Sequence, residues 1–501
     1  MNSNVRRRSL RSARSSLHRT LFPTLCLILC SALCLVSVSC GKANNDANGD
    51  QEYQPPEPPA VFEPVAPDLT TDSTDYAALA LASFDGISPS EEFQWEETED
   101  GLLLTSYTGD ADKIIIPSMI EGKTVIALED ELFADRKTLT VLSIPDTVQQ
   151  VGTSLLRGCQ SLRVLRTPQL GQNRDDDGYL AYLFGATSPV GNGYRVPSSL
   201  DTVILTQGTE VAAYAFYGCS RLCMVLLPQA LDKIGNYAFF GCKSLHYVPL
   251  PEHLTSLGDA SFRECTSLVQ VTLPQTLSSV GLGVYLGCTK LEQLTLPFLG
   301  DGNGNYTSLG YLFGALHYTW NRNYIPSSLR VVHLTASSVP SYAFYDCTSL
   351  AIVTLSDTCT FIGTRAFWGC QALQSVSMPD RVTHIGDLAF AHCSTLYRLT
   401  LPSGLTELGI QAFMNCTNLT EAVLPNALTD LPASVFSGCS NLRRITMGQQ
   451  IASVAAGAFH GCVSLSVIDK NGSSPIIAAE GNQAFSQIWN ADGHTPTQPN
   501  E

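Results

Sequence analysis

The chain carries little charge for its size. Lys, Arg, Asp and Glu make up 15% of its 501 residues, against 44% hydrophobic residues, where a soluble domain averages roughly 25% charged. Cations are scarcest, at 29 Lys and Arg against 45 Asp and Glu. Six of those cations fall in residues 1–39, which hold no acid. Without that segment 23 cations face 45 acids, a net charge of −22. So acidic a body excludes binding to nucleic acid or to an anionic membrane face by bulk electrostatics. No C-x-x-C pair occurs after residue 39, which speaks against a clustered thiolate metal site. No nucleophile elbow, P-loop or zinc-binding helix motif is present. His384 and His392 are close in sequence, but their phases place them on different sides of the repeat described below. The expectation is a protein that is not an enzyme and holds no cofactor and no metal.

Long apolar runs are also lacking, with one exception from Leu21 to Val38. Arg6, Arg7, Arg8, Arg11, Arg14 and Arg19 precede it. A basic start followed by an apolar run is the pattern of an export signal, here residues 1–39. Cys40 closes the run, preceded by Ser37-Val38-Ser39 and followed by Gly41. This resembles the lipobox of bacterial lipoproteins, in which the cysteine is acylated. It departs from that pattern at Ser37, where those proteins usually have leucine. The resemblance implies secretion across the cytoplasmic membrane and a lipid anchor on Cys40 at the bacterial surface. An ordinary cleaved signal and an uncleaved anchor are the alternatives. Residues 40–90 read as a polar stalk centred on Gln54-Pro55-Pro56-Glu57-Pro58-Pro59, because proline favours extended backbone. A short apolar patch, Tyr76 to Phe84, lies at its end and reads as a helix or an early cap.

What is abundant is periodicity. Cysteines stand at 159, 219, 242, 265, 288, 347, 370, 393, 416, 439 and 462. Eight of the ten gaps are 23 residues; the others are 60 and 59. Three places before the cysteine comes an aromatic in most repeats, as at Phe239, Phe367 and Phe413. Three places after it comes a leucine that opens L-x-x-V-x-L-P, as in Leu268 to Pro274. The alternation in V-x-L places two apolar side chains on one face of a strand. Proline then ends the strand. A second apolar pair follows, Leu254 and Leu257 in one coil, and then Gly258, which is expected to turn the chain with φ > 0. One such coil cannot bury its apolar face alone, so the coils stack. The cysteines are expected to be small buried apolar filler, because parallel Cβ vectors suit a disulfide poorly.

Fourteen leucine anchors run from Leu139 to Leu465, and a degenerate coil surrounds Ile114-Ile115-Ile116-Pro117. Two coils are longer by 15 residues, at about 170–196 and 299–325. Tyr182-Leu183-Phe184-Gly185-Ala186 in the first matches Tyr311-Leu312-Phe313-Gly314-Ala315 in the second. A block of about 129 residues has evidently been duplicated. The extra residues are expected to leave the stack as loops. Asn173 to Gly178 and Asp301-Gly302-Asn303-Gly304-Asn305 resemble calcium loops, but Phe184 and Leu312 stand where the bidentate glutamate would be, so the ligand set is incomplete.

Aromatic, Gly-Cys, leucine, V-x-L-Pro and Ile-Gly recurring in fixed phase resemble the BspA-type leucine-rich-repeat family of bacterial and protist surface proteins. Ala366-Phe367-Trp368-Gly369-Cys370 and Ile385-Gly386-Asp387-Leu388-Ala389-Phe390 are clear instances. The resemblance spans about 91–470 and leaves 471–501 as a cap and polar tail. It implies a leucine-rich-repeat solenoid of about 14–15 stacked coils with short parallel strands and short helical turns. It also implies a surface binding module or adhesin for a protein or glycan. A cell-envelope structural or self-association role is the alternative. The residues to examine for recognition are Tyr318, Trp320, Arg322 and Tyr324 in the second insertion, and Tyr194 in the first. A mostly hydroxyl column, Thr272, Thr295, Thr354, Ser377, Thr400, Val423 and Thr446, is expected on the concave face.

Overall fold

The computed structural model describes residues 84, 86–173, 178–470 and 476–477. Residues 1–39, Cys40, the stalk up to Ser83, Arg174–Asp177 and the tail from Ala478 lie outside them. The described residues belong to one compact unit. They form a parallel β-solenoid of about 16 turns with 23-residue spacing and little helix. The turns beyond the 14–15 expected lie at the N-terminal end, where no leucine–cysteine signature marks them. There an antiparallel hairpin, Phe93–Glu97 with Leu102–Tyr107, opens the stack. Arg136 stands one period before Cys159 and ties the hairpin down. Its guanidinium donates to the carbonyls of Gly109 (2.6 Å) and Tyr107 and lies 4.5 Å over the Tyr107 ring. At the other end Ile476–Ile477 pairs antiparallel with Val467–Lys470. Among the described residues no helix is long and apolar enough to cross a membrane.

Two series of ladders run along the stack, each divided into shorter sheets. The main one pairs the V-x-L segments in register, Gln293–Leu296 with Val331–Leu334 and that with Ile352–Leu355. The second pairs the two residues before the conserved glycine, Ser256–Leu257 with Ser279–Val280. Within a main strand burial alternates: Leu294 and Leu296 are buried, while Gln293 and Thr295 are half-exposed. The core therefore lies on one side and the polar columns on the other. The main ladder narrows to a single bridge, Met224 with Tyr247, in the coil of Leu245. Pro249 stands there in the place of Thr272, and a proline has no N–H to donate to the ladder.

The aromatic column packs between the ladders. Phe216 and Phe239 stack at 4.9 Å, Phe239 and Phe262 at 4.9 Å, Phe367 and Phe390 at 4.8 Å, each pair within 6° of parallel. Backbone hydrogen bonds cross the coils here too, as from Phe239 N–H to Ser261 O at 2.7 Å. The cysteines beside this column are free and buried, and they do more than fill space. The Sγ of Cys242 donates to Phe216 O (3.1 Å), that of Cys265 to Phe239 O (3.2 Å), that of Cys393 to Phe367 O (3.2 Å), and so on along the column. These thiols thus satisfy buried carbonyls of the preceding coil, whereas the Cys347 Sγ lies 3.9 Å from Tyr345 O of its own turn.

Two expectations need correction. Gly258 does not adopt a positive φ; a Cβ there would lie 2.5 Å from the backbone N of Asn236. The glycine is required because one coil's backbone approaches the next. The left-handed residue comes two places later and is Ala260, with φ 51°. The insertions, in turn, do not simply leave the stack. Leu180–Phe184 and Leu309–Phe313 are short 3-10 helices, and Leu183, Phe184, Leu312 and Phe313 are buried. Leu156 N–H donates to Leu183 O at 2.7 Å and Tyr285 N–H to Leu312 O at 2.8 Å. These motifs therefore supply the aromatic turn of coils that lack the usual signature. Among the described residues helix is confined to the insertions and to Ser90–Glu92; the ordinary coils turn without it.

Gly258→Ala is expected to lower stability by about 1–3 kcal/mol through overpacking, whereas Ala260→Gly does not lower it; chemical denaturation of both variants checks the pair. Burial raises the thiol of Cys159 from its ordinary 9.0 to about 11 and that of Cys288 to about 12. A thiol whose pKa is raised by folding stabilises fully below its unfolded value and loses that contribution as pH rises toward the folded value. The unfolding free energy is therefore expected to be flat up to about pH 9 and to fall steeply above it, up to about 1.4 kcal/mol per pH unit for each thiol. A free energy that does not change between pH 8.5 and 10.5 would contradict this.

Candidate functional site

The second insertion contributes two groups of aromatic residues. Tyr318–Trp320 is a 3-10 turn and Asn321–Tyr324 a single helical turn. They are held from below by Asn321, which is fully buried and donates through Nδ2 to Tyr345 O at 2.9 Å. Asn192 does the same for the first insertion, donating to Tyr214 O (3.2 Å) and Ala215 O (3.1 Å) and accepting from Ala181 N–H at 2.6 Å. Neither asparagine stood out in the sequence, although the 129-residue offset between them was visible.

Tyr318 folds down onto the solenoid. Its ring stacks on Tyr342 at 4.2 Å and meets Tyr345 edge-on at 5.1 Å. Tyr345 stacks on Trp368 at 4.6 Å, and Trp368 meets the edge of His392 at 5.2 Å. His317 closes the row at 4.2 Å from Tyr318. His317 Nδ1 accepts from the Thr319 N–H at 3.4 Å, which calls for a lone pair on that nitrogen. Burial lowers the pKa of His392 and raises that of Tyr345. The result is a ledge of partly exposed rings running from the insertion over the next three coils. Tyr342, Tyr345 and Trp368 were missed from the sequence. The signal was present, since Tyr217, Phe240, Tyr345 and Trp368 all directly follow a column aromatic.

Trp320 and Tyr324 form a second group. They stack at 6.2 Å and remain 45% and 37% exposed. Arg322 lies beside them, 56% exposed, with its guanidinium 4.0 Å from the Asp346 carboxylate. Burial raises the Asp346 pKa, and Arg322 works against that rise. Tyr194 is the most open of the candidates, at 70%, with Arg195 5.9 Å over its ring. The fold brings Tyr318, Trp320, Arg322 and Tyr324 together and leaves Tyr194 in the other insertion, on the order of 25 Å away along the stack. A second, smaller ledge follows the first insertion: Tyr214 stacks on Tyr237 at 5.2 Å and Tyr217 on Phe240 at 4.9 Å.

From Gln270 onward the concave columns carry polar residues, interrupted by the buried Val331 and Ile352. Arg398 and Glu421 lie 3.8 Å apart, as do Arg444 and Asp469, all partly exposed. His333 and Thr354 are hydrogen-bonded across neighbouring strands. Asp301 is buried and turned inward on its own loop, its Oδ1 accepting from Asn303 N–H at 3.0 Å and its Oδ2 from Asn305 Nδ2 at 2.9 Å. Burial raises its pKa, but the hydrogen bonds from Asn305, Tyr306 and Asn303 prevail and hold it below the usual carboxylate value. Its oxygens serve the turn and do not point outward as a ligand cage. Among the described residues no three His, Cys, Asp or Glu side chains converge. In the first insertion Asp175–Asp177 lie outside the described residues.

The family model for the BspA type leucine rich repeat region matches in six copies, over residues 110–176, 197–303 and 337–466. The chain belongs to this family. As a BspA-type protein it carries the solenoid of leucine-rich repeats, a scaffold that typically binds and does not catalyse. No curated protein matches it. Among solved structures it is similar to a leucine-rich repeat protein of Bacteroides ovatus, at 22% identity over 69% of this chain and 95% of that one, TM-score 0.33. A leucine rich cell surface protein of Faecalibacterium prausnitzii matches at 24% identity over 72% and 94%, TM-score 0.27. The pneumococcal vaccine antigen PcpA matches at 17% over 76% and 92%, TM-score 0.28.

The two groups in this BspA-type insertion separate by energetics. Tyr318→Ala removes a stacked ring and is expected to lower stability by about 1 kcal/mol. Trp320→Ala and Arg322→Ala, at exposed sites, are expected to stay within about 0.5 kcal/mol of the parent. Thermal unfolding of the three variants distinguishes the supporting ring from the two free to recognise.

Proposed function

We propose that the protein is a binding module displayed on a bacterial surface, anchored through lipid on Cys40, that recognises a protein or glycan through the second insertion and its aromatic ledge. The observation that carries this reading is the exposed Trp320–Arg322–Tyr324 group set beside the stacked rings of Tyr318, Tyr342, Tyr345 and Trp368. Apolar, flat and partly desolvated rings beside a guanidinium are the composition of an interface anchor, and they also stack on sugar faces. Asn321 and the rigid solenoid preorganise the group, so little ordering entropy opposes binding. The acidic body steers partners of opposite charge and discourages nucleic acid. The lipid anchor rests on the Arg-rich start, the Leu21–Val38 run and Cys40.

The test is the whole chain, without its export segment, on arrays of matrix proteins and glycans. A saturable ligand is expected, lost by at least about tenfold in the Trp320→Ala, Tyr324→Ala double variant, which keeps its fold. Binding that survives the double variant moves the site elsewhere, and no ligand on either array favours an envelope role. Separately, Cys40→Ser is expected to abolish incorporation of radiolabelled fatty acid and to release the chain from the membrane fraction.

A further inference from the structure

Around each column ring, the positions two before it and one after it hold further rings in the two coils that follow each insertion. They are Tyr214, Tyr217, Tyr237 and Phe240 after the first insertion, and Tyr342, Tyr345 and Trp368 after the second. In the coils of Phe262, Phe413 and Phe436 the same positions hold Ala260 and Arg263, Gln411 and Met414, Ser434 and Ser437. The duplicated block has therefore made one aromatic surface twice.

The two copies differ at one place. In the second, the turn Tyr318–Trp320 lays the Tyr318 ring on Tyr342 at 4.2 Å. In the first, the matching turn is Pro189–Gly191, and Pro189 stands where Tyr318 does, 129 residues earlier. The two turns are built and seated alike. Gly191 N–H donates to Ser188 O and Trp320 N–H to His317 O, both at 3.0 Å. Leu180 N–H donates to Ala215 O at 2.9 Å and Leu309 N–H to Ala343 O at 2.8 Å. A pyrrolidine ring is smaller than a phenol and covers less of its neighbour. Tyr214 accordingly stays 40% exposed. Its parallel neighbour among the described rings is Tyr237, at 5.2 Å in the next coil, so the face toward the insertion carries no ring.

Charge also separates the copies. Residues 185–196 and the turns 213–221, 236–243 and 259–264 hold Arg195, Arg221, Lys243 and Arg263 against Asp259 and Glu264. The corresponding residues of the second copy hold Arg322 and Arg365 against Asp346 and Asp387. Arg195, Arg221 and Lys243 are exposed. Arg263 lies 5.5 Å over the Phe240 ring and 3.8 Å from the Glu264 carboxylate. In a body where acids outnumber cations, the first copy is a local excess of positive charge, which favours an acidic partner.

We infer that Tyr214, with Tyr217 and Tyr237 beside it, receives an aromatic side chain carried on an acidic peptide segment of a partner protein. The incoming ring takes the place on Tyr214 that Tyr318 takes on Tyr342, and the carboxylates flanking it meet Arg195, Arg221 and Lys243. The second ledge is a self-occupied copy of the site, and the first is the open one. A neutral sugar could stack on the same ring face but would gain nothing from the cations. The site lies on the order of 25 Å along the stack from the Trp320–Arg322–Tyr324 group, and it does not depend on what that group binds.

The probe is the end-blocked pentapeptide Asp-Glu-Tyr-Glu-Asp, titrated into the whole chain and followed by saturation-transfer NMR. Saturable binding with a Kd on the order of 1 mM or tighter is expected, with the strongest transfer to the tyrosine ring. Alanine in place of the probe's tyrosine, or lysine in place of its acids, is expected to weaken binding at least about fivefold. Tyr214→Ala and Pro189→Tyr are each expected to do the same. Pro189→Tyr supplies from within the ring that the site receives, and it lies in a surface turn, so it serves where Tyr214→Ala fails to fold. No binding by the parent chain overturns the inference, as does binding that Pro189→Tyr leaves unchanged. Binding of cellohexaose that is lost in Pro189→Tyr, without binding of the peptide, overturns the protein partner in favour of a glycan.

Discussion

Everything in this molecule depends on the distance between one coil and the next. Parallel strands in register sit about 4.8 Å apart, and a 23-residue coil must return to its start displaced by that amount. The phenyl stack obeys the same spacing, with 4.8–5.0 Å between rings where the column is most regular. Flat rings at this separation fill the interior without voids. On coils such as those of Gly235, Gly258 and Gly281 a glycine admits the neighbouring backbone, and on most coils a thiol answers a carbonyl left over by the aromatic turn.

That constraint explains where variation is found. Residues facing inward are held to a narrow choice, while those facing out are limited only by neighbours one period away. The outward columns can therefore become aromatic, charged or apolar without cost to the stack. Tyr345 and Trp368 stack on the surface for the same geometrical reason that Phe344 and Phe367 stack in the core. An aromatic placed at one outward position in successive coils becomes a continuous ledge.

The insertions illustrate how a solenoid accommodates extra chain. Each keeps one coil's worth of core contacts through its buried Leu-Phe pair, and places the surplus between those contacts and the next strand. A buried asparagine then ties the surplus to the following coil. Asn321 also lies 3.9 Å from the Cys347 Sγ, one position in the column where the thiol has no phenylalanine carbonyl of the usual kind.

The 23-residue period, the strand faces, the aromatic and cysteine columns and the duplicated block were legible in the residues themselves, because each is a pattern along the chain. The family followed from the phase of those patterns. The candidates Trp320, Arg322 and Tyr324 were legible as well, as polar and aromatic residues outside the repeat. What the sequence could not decide was which atoms meet across coils. Gly258 looked like a turn residue and is instead a point of close approach. Leu183 and Phe184 looked like loop and are core. Tyr318 was grouped with Trp320, yet it supports a ledge whose other members come from later coils. The chain by itself determines periodicity, which is local; contacts between residues a whole period or more apart exist only once the coils are stacked, so the thiol–carbonyl pairs and the aromatic ledge were decided by the tertiary structure.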